Sequence, residues 1–150
     1  MPSRYLSRRQ ALQVLYLWDI RHVPVEEAIS QYFSPLSVEG EESLTEPTDF
    51  AVELACGVAA AQAEIDNLIR GHCEHWRLER MAVVDRNILR LAAFEMSRLG
   101  THPALVIDQA LNLARRFSSD ESVTFINGVL DAIRRHLQQP GAAAEPPLSQ

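Results

Sequence analysis

The sequence predicts an all-α protein, and three observations carry the prediction. Apolar residues recur every three or four positions in six separate stretches, as in helices with one buried face. No stretch alternates apolar and polar residues with a period of two, so strands are not expected. Residues that start helices (Ser, Thr, Pro) and stop them (Gly) fall at the edges of those stretches.

The first helix is expected to open at Ser7, where Ser7 and Gln10 have the S-x-x-Q spacing of a capping box. Ala11, Leu12, Leu15 and Tyr16 form its stripe as far as about Ile20. A short second helix begins at Pro24, buries Ala28, Ile29, Tyr32 and Phe33, and ends before Pro35. Residues 34–47, with two prolines, a glycine and four glutamates, read as a solvated loop. Thr48 is a suitable N-cap for a third helix from about Asp49 to Arg70, with Phe50, Leu54, Val58, Ala61, Ile65 and Leu68 on one face and Gly71 as its stop. Residues 72–84 predict a short helical turn and a connection. A fourth helix runs from about Asp85 to Leu99, capped by Asp85 and ended by Gly100. A fifth spans about Ala104 to Phe117. The last carries Val123, Ile126, Leu130, Ile133 and Leu137. Gly128 inside it costs about 1 kcal/mol relative to alanine, which predicts close approach of a second backbone there, with Asn127 bonding across the contact. Short links imply antiparallel neighbours in a bundle. The expected organisation is one helical domain over 1–137 with a basic arm over 1–9, then a disordered Pro- and Ala-rich tail over 138–150.

At 150 residues and 47% hydrophobic, the chain can bury the core of one domain. It has no apolar run near the ~18 residues of a membrane span and no convincing signal peptide, so the cytoplasm is the expected compartment and no membrane is involved. The net charge of −6 argues against gripping nucleic acid over the whole surface. The charge is uneven, however. Arg4, Arg8, Arg9 and Arg21 face only Asp19 in residues 1–22, whereas residues 26–54 hold acids and no base. All 14 basic residues are arginine, which suits planar phosphate contacts. Arg4, Arg8 and Arg9 form a phosphate clamp or a merely solvated terminus. Asp85, Arg86 and Arg90 form either a polar rim for a partner or ion pairs tying the helix to its neighbours.

No phosphate-binding glycine loop, nucleophile elbow or zinc-protease motif occurs, so neither catalysis nor a cofactor is expected. His72, Cys73 and His75 lie close together but at offsets awkward for metal ligation. Asp85, Glu95 and Asp108 are read as caps or surface ion pairs rather than acid–base groups.

Four blocks in order carry a resemblance: R-x-x-A-L-Q-x-L-Y (Arg8 to Tyr16), F-x-x-x-L-x-x-G (Phe50 to Gly57), V-D-R-N-I-L-R-L-A-A-F-E (Val84 to Glu95) and F-I-N-G-V-L-D (Phe125 to Asp131). Across about Arg4 to Leu137 the chain resembles the NusB family. The resemblance implies a NusB-like fold of six or seven helices in two small bundles packed across each other. It implies a non-enzymatic antitermination factor that binds boxA RNA of ribosomal RNA transcripts as a heterodimer with the ribosomal protein NusE, within the RNA polymerase complex containing other Nus factors. By position, it places RNA contacts at Arg4, Arg8, Arg9, Arg90, Glu121 and Phe125, and the NusE surface at Tyr16, Asp85 and Arg86. The basic helix entrance is expected to lie beside that polar surface. The alternative is a scaffold or homodimer of the same fold with weak intrinsic RNA binding.

Overall fold

The computed structural model describes residues 3–34, 46–73 and 77–139. They form seven α-helices: α1 (Arg4–Arg21), α2 (Val25–Tyr32), α3 (Asp49–Ala60), α4 (Gln62–Arg70), α5 (Val83–Phe94), α6 (Pro103–Phe117) and α7 (Asp120–Leu137). A single 3-10 turn (Leu78–Arg80) precedes α5. Most of the predicted loop over 34–47, almost all of the predicted tail over 138–150, and His75 lie outside the described residues.

Helix α1 starts one turn earlier than its capping-box spacing predicts. Ser3, in extended backbone, is the N-cap, and its hydroxyl accepts from Leu6 N–H. Ser7 and Gln10 are instead buried inside α1 and bond across to the start of α3. Ser7 Oγ lies 2.7 Å from Thr48 Oγ1, and Gln10 Oε1 accepts from Thr48 N–H at 3.1 Å. The polar pair that looked like a local cap is therefore a tertiary bond. The predicted third helix is broken at Ala61 (φ −106°, ψ 21°) into α3 and α4. Helix α5 starts at Val83, so Asp85 sits in its first turn and is not its cap. The last turn, Glu95–Leu99, widens to i→i+5 bonding and closes on Gly100, whose left-handed φ of 68° a side chain would oppose.

Helix α1 packs on α2, α3 and α5, while α6 and α7 pack on each other and on α5. Helix α5 is thus shared between the two groups. Ile88, Leu89, Leu91, Ala92 and Ala93 are all buried along it, and they meet Leu12 and Leu15 of α1, Leu54 of α3, Leu113 of α6 and Ile126 and Leu130 of α7 in one continuous core.

Two glycines exchange the roles the sequence suggests. Gly128 has nothing within 4 Å of where a Cβ would sit, and both it and Asn127 are exposed, so no backbone approaches and no cross-helix bond forms. At Gly57, by contrast, a Cβ would lie 2.2 Å from Phe94 Cζ, the ring by which α5 leans on α3. Gly57→Ala is expected to lower stability by about 2 kcal/mol, because overpacking outweighs the helix-propensity gain. Gly128→Ala should raise it by roughly 0.5–1 kcal/mol. Urea denaturation midpoints shifting in the same direction for both would refute the pairing.

Candidate nucleic-acid and partner interface

Arginine side chains that look alike in sequence fall into very different surroundings. Arg4 is exposed at the entrance of α1, with its guanidinium 3.8 Å from the Phe50 ring centroid. Arg9 is half-buried. Arg8 is only 5% exposed and forms a fork with Glu95, itself 1% exposed: Nε donates to Oε2 at 2.6 Å and Nη2 to Oε1 at 2.9 Å. Glu95 is therefore neither an acid–base group nor part of a surface ion pair, but the buried counter-charge of Arg8.

A second cluster occupies the other end of α1. Arg90, 5% exposed, donates through Nε and Nη2 to the two oxygens of Asp66 at 2.8 and 3.0 Å, and through Nη1 to Asp19 at 2.9 Å. Arg86 forks onto the same Asp19, at 2.7 Å from Nε and 2.5 Å from Nη2, and Asn87 adds a third donor at 2.9 Å. Burial pushes the Asp19 carboxyl up. The Arg86 and Asn87 hydrogen bonds and the nearby Arg90 and Arg86 charges outweigh it and hold the group below its ordinary value. Of the two readings left open for Arg86 and Arg90, their side chains realise the ion pairs.

The two clusters have a common geometry. Arg8, early in α1, meets Glu95 at the end of α5, whereas Asp19, late in α1, meets Arg86 and Arg90 near the start of α5. The helices are antiparallel and pinned at both ends. Fifteen residues of helix separate Arg4 from Asp19, roughly 22 Å at 1.5 Å per residue. The basic entrance and the Asp19 cluster are therefore not adjacent, contrary to the sequence expectation. They lie at opposite ends of one helix.

Asp85 turns away from its own helix end. Its two carboxylate oxygens accept from the Ser118 and Ser122 hydroxyls, both at 2.6 Å, tying α5 to the α6–α7 junction. Asp85, Glu121 and Phe125 line one groove of about 360 Å³, together with Arg80, Met81, Ala82 and Ser122. Tyr16 and Ile20, one turn apart on α1, are 39% and 45% exposed and form a small apolar face next to Asp19. The structure thus brings together Arg86 with Arg90, with Tyr16 beside the Asp19 they share, and Asp85 with Glu121 and Phe125, and leaves the Arg4–Arg9 entrance apart from both groups.

Sequence reasoning overlooked Asp19, Asp66 and Arg80. A carboxylate inside the apolar stretch Leu15–Ile20 is a usable signal for Asp19, because a charge is almost never buried there without a partner. Nothing in the spacing points to Asp66. His72 Nδ1 lies 2.9 Å from the Leu68 carbonyl and Cys73 Sγ donates to the Ile69 carbonyl; among the described residues no cluster of three metal-ligating side chains occurs. No described helix is long and apolar enough to cross a membrane.

Against known proteins, residues 6–135 match the family model described as the NusB family. The transcription antitermination protein NusB of Solibacter usitatus is 50% identical over 142 residues, covering 95% of each chain. The NusB protein of Koribacter versatilis is 43% identical over 90% of each. In structure, T. maritima NusB superposes with a TM-score of 0.77 at 25% identity, covering 96% of this chain and 99% of that one. A crystal structure of antitermination factors NusB and NusE in complex with double-stranded RNA gives a TM-score of 0.74 at 27% identity, covering 88% of this chain and 96% of that one. The family match and the structural likenesses extend over almost the whole described chain, and the protein belongs to the NusB family.

Proposed function

We infer that this protein is a non-enzymatic transcription antitermination factor that binds boxA RNA of ribosomal RNA transcripts as a heterodimer with NusE. The observation that carries this reading is the 50% identity to a NusB protein over 95% of both chains. The neighbouring NusB–NusE–RNA complex supports the choice of partners. The Tyr16–Ile20 face, bordered by the Asp19–Arg86 cluster, suits a protein partner: an apolar centre beside oriented charges. Arg4 and Arg9 at the α1 entrance and the groove holding Glu121 and Phe125 suit single-stranded RNA, which is bound by phosphate contacts and aromatic stacking. Arg8 and Arg90 serve this surface by positioning α1 and α5, since carboxylates already occupy their donors. The heterodimer acts in the cytoplasm, joining RNA polymerase with other Nus factors.

A gel shift with boxA RNA tests the reading. The expected result is a shift that tightens roughly tenfold or more when NusE is added, because the partner supplies further contacts. Tyr16→Ala, which leaves the core intact, should reduce that gain. No shift with NusE present at low salt would overturn the proposal.

A further inference from the structure

The groove between the 3-10 turn and the start of α7 holds a charge that the family resemblance does not assign. Among the described residues, Arg80 is exposed and its guanidinium has no carboxylate or hydrogen-bond partner. Most other arginines are engaged. Arg8, Arg70, Arg86, Arg90, Arg98, Arg134 and Arg135 all pair with acids. The turn carrying Arg80 is itself anchored. Glu79 receives Arg70 at 2.6 Å, and the Glu79 carbonyl accepts from Arg86 at 3.3 Å. Arg80 therefore projects an unpaired guanidinium from a fixed support, which lowers the ordering cost of an anion contact.

The rest of the lining indicates which part of a nucleotide goes where. Asp85 and Glu121 make the groove unfavourable for a phosphate. Asp85 is already satisfied by Ser118 and Ser122, while Phe125 supplies an aromatic surface. Glu121, Phe125 and Gly128 follow one another at i, i+4 and i+7, so they share a face of α7. A Cβ at Gly128 would meet nothing within 4 Å, so that face of α7 borders open space.

We propose that Arg80 is an RNA phosphate contact, holding the backbone so that one uncharged base enters the groove against Phe125. The inference rests on the RNA-binding reading above and adds to it a residue and a register. It assigns to Arg80 the phosphate contact that Arg90, buried against two aspartates, does not offer.

Fluorescence anisotropy of boxA RNA with the NusE heterodimer, across a series of salt concentrations, tests it. Arg80→Ala and Arg80→Glu should weaken binding by about 5-fold and more than 10-fold, and flatten the slope of log K against log salt by about 0.7, the value for one phosphate contact to a single strand. Arg98→Ala, which removes one exposed arginine elsewhere, should leave both quantities unchanged. Wild-type affinity and slope in the Arg80 variants, or a loss confined to NusE binding, would overturn the proposal and leave the antitermination reading standing. Absence of RNA binding by the unsubstituted heterodimer would instead overturn that reading, and Arg80 with it.

Discussion

Arg8→Glu is expected to destabilise the fold severely rather than merely weaken the protein's hold on RNA. The substitution removes the partner of a carboxylate that is almost fully buried and sets a second carboxylate against it. Breaking a buried ion pair from one side costs about 3–5 kcal/mol, because the remaining charge keeps its desolvation penalty without its compensation. That is a large part of the ~5–15 kcal/mol by which a domain of this size is stable. Urea denaturation followed by circular dichroism reads the effect as a large fall in midpoint. Arg8→Met combined with Glu95→Leu should recover most of the loss, since replacing both charges by apolar groups of similar volume is near neutral. A midpoint for Arg8→Glu within error of wild type would show that the pair is not buried as described. The result also bears on how RNA binding is tested. Arg4→Glu changes an exposed guanidinium on the same entrance and should lower affinity without comparable loss of stability.

Arg90→Ala should have the next largest effect, again about 3–5 kcal/mol, by leaving Asp66 and Asp19 without their shared cation. Arg90→Lys should recover only part of it, because an ammonium cannot reproduce the fork onto Asp66 and the bond to Asp19 together. This cluster also sets an acid limit. The Asp19 carboxyl is held below its ordinary value of 3.8, so the stability it contributes is fully present above that value and disappears as pH falls through the lower folded-state value. Stability measured from neutral pH down to about pH 2 should therefore fall less steeply in Asp19→Asn than in wild type over that acid range, while being lower at neutral pH. An unchanged acid limb in Asp19→Asn, or a wild-type midpoint for Arg90→Ala, would remove the cluster from the account.

Which parts of this were legible in the sequence depends on how local their physics is. Gly100 and Thr48 do what their positions announce, ending one helix and capping another, because positive φ and an N-terminal hydroxyl bond are decided within a few residues. Ser7 and Gln10 carried the same kind of local signal and went elsewhere. Thr48, distant in sequence and close in space, competes for the same hydrogen bonds. Gly57 and Gly128 show the same limit from the steric side. Their backbones are both helical, and only the position of Phe94 tells them apart. For the candidate site, resemblance placed Arg8, Arg86 and Arg90 at binding surfaces and spacing left Arg86 and Arg90 open between a partner rim and ion pairs, because their counter-charges Glu95, Asp19 and Asp66 lie 24 to 87 positions away.

The sequence by itself determined that the chain is helical, where most helices stop, and to which family it belongs, because periodicity, caps and motif order are properties of neighbouring residues. The tertiary structure alone decided which arginines still carry a usable charge. A guanidinium is available to a phosphate only if no carboxylate has been folded against it, and that depends on how α1, α4 and α5 come together.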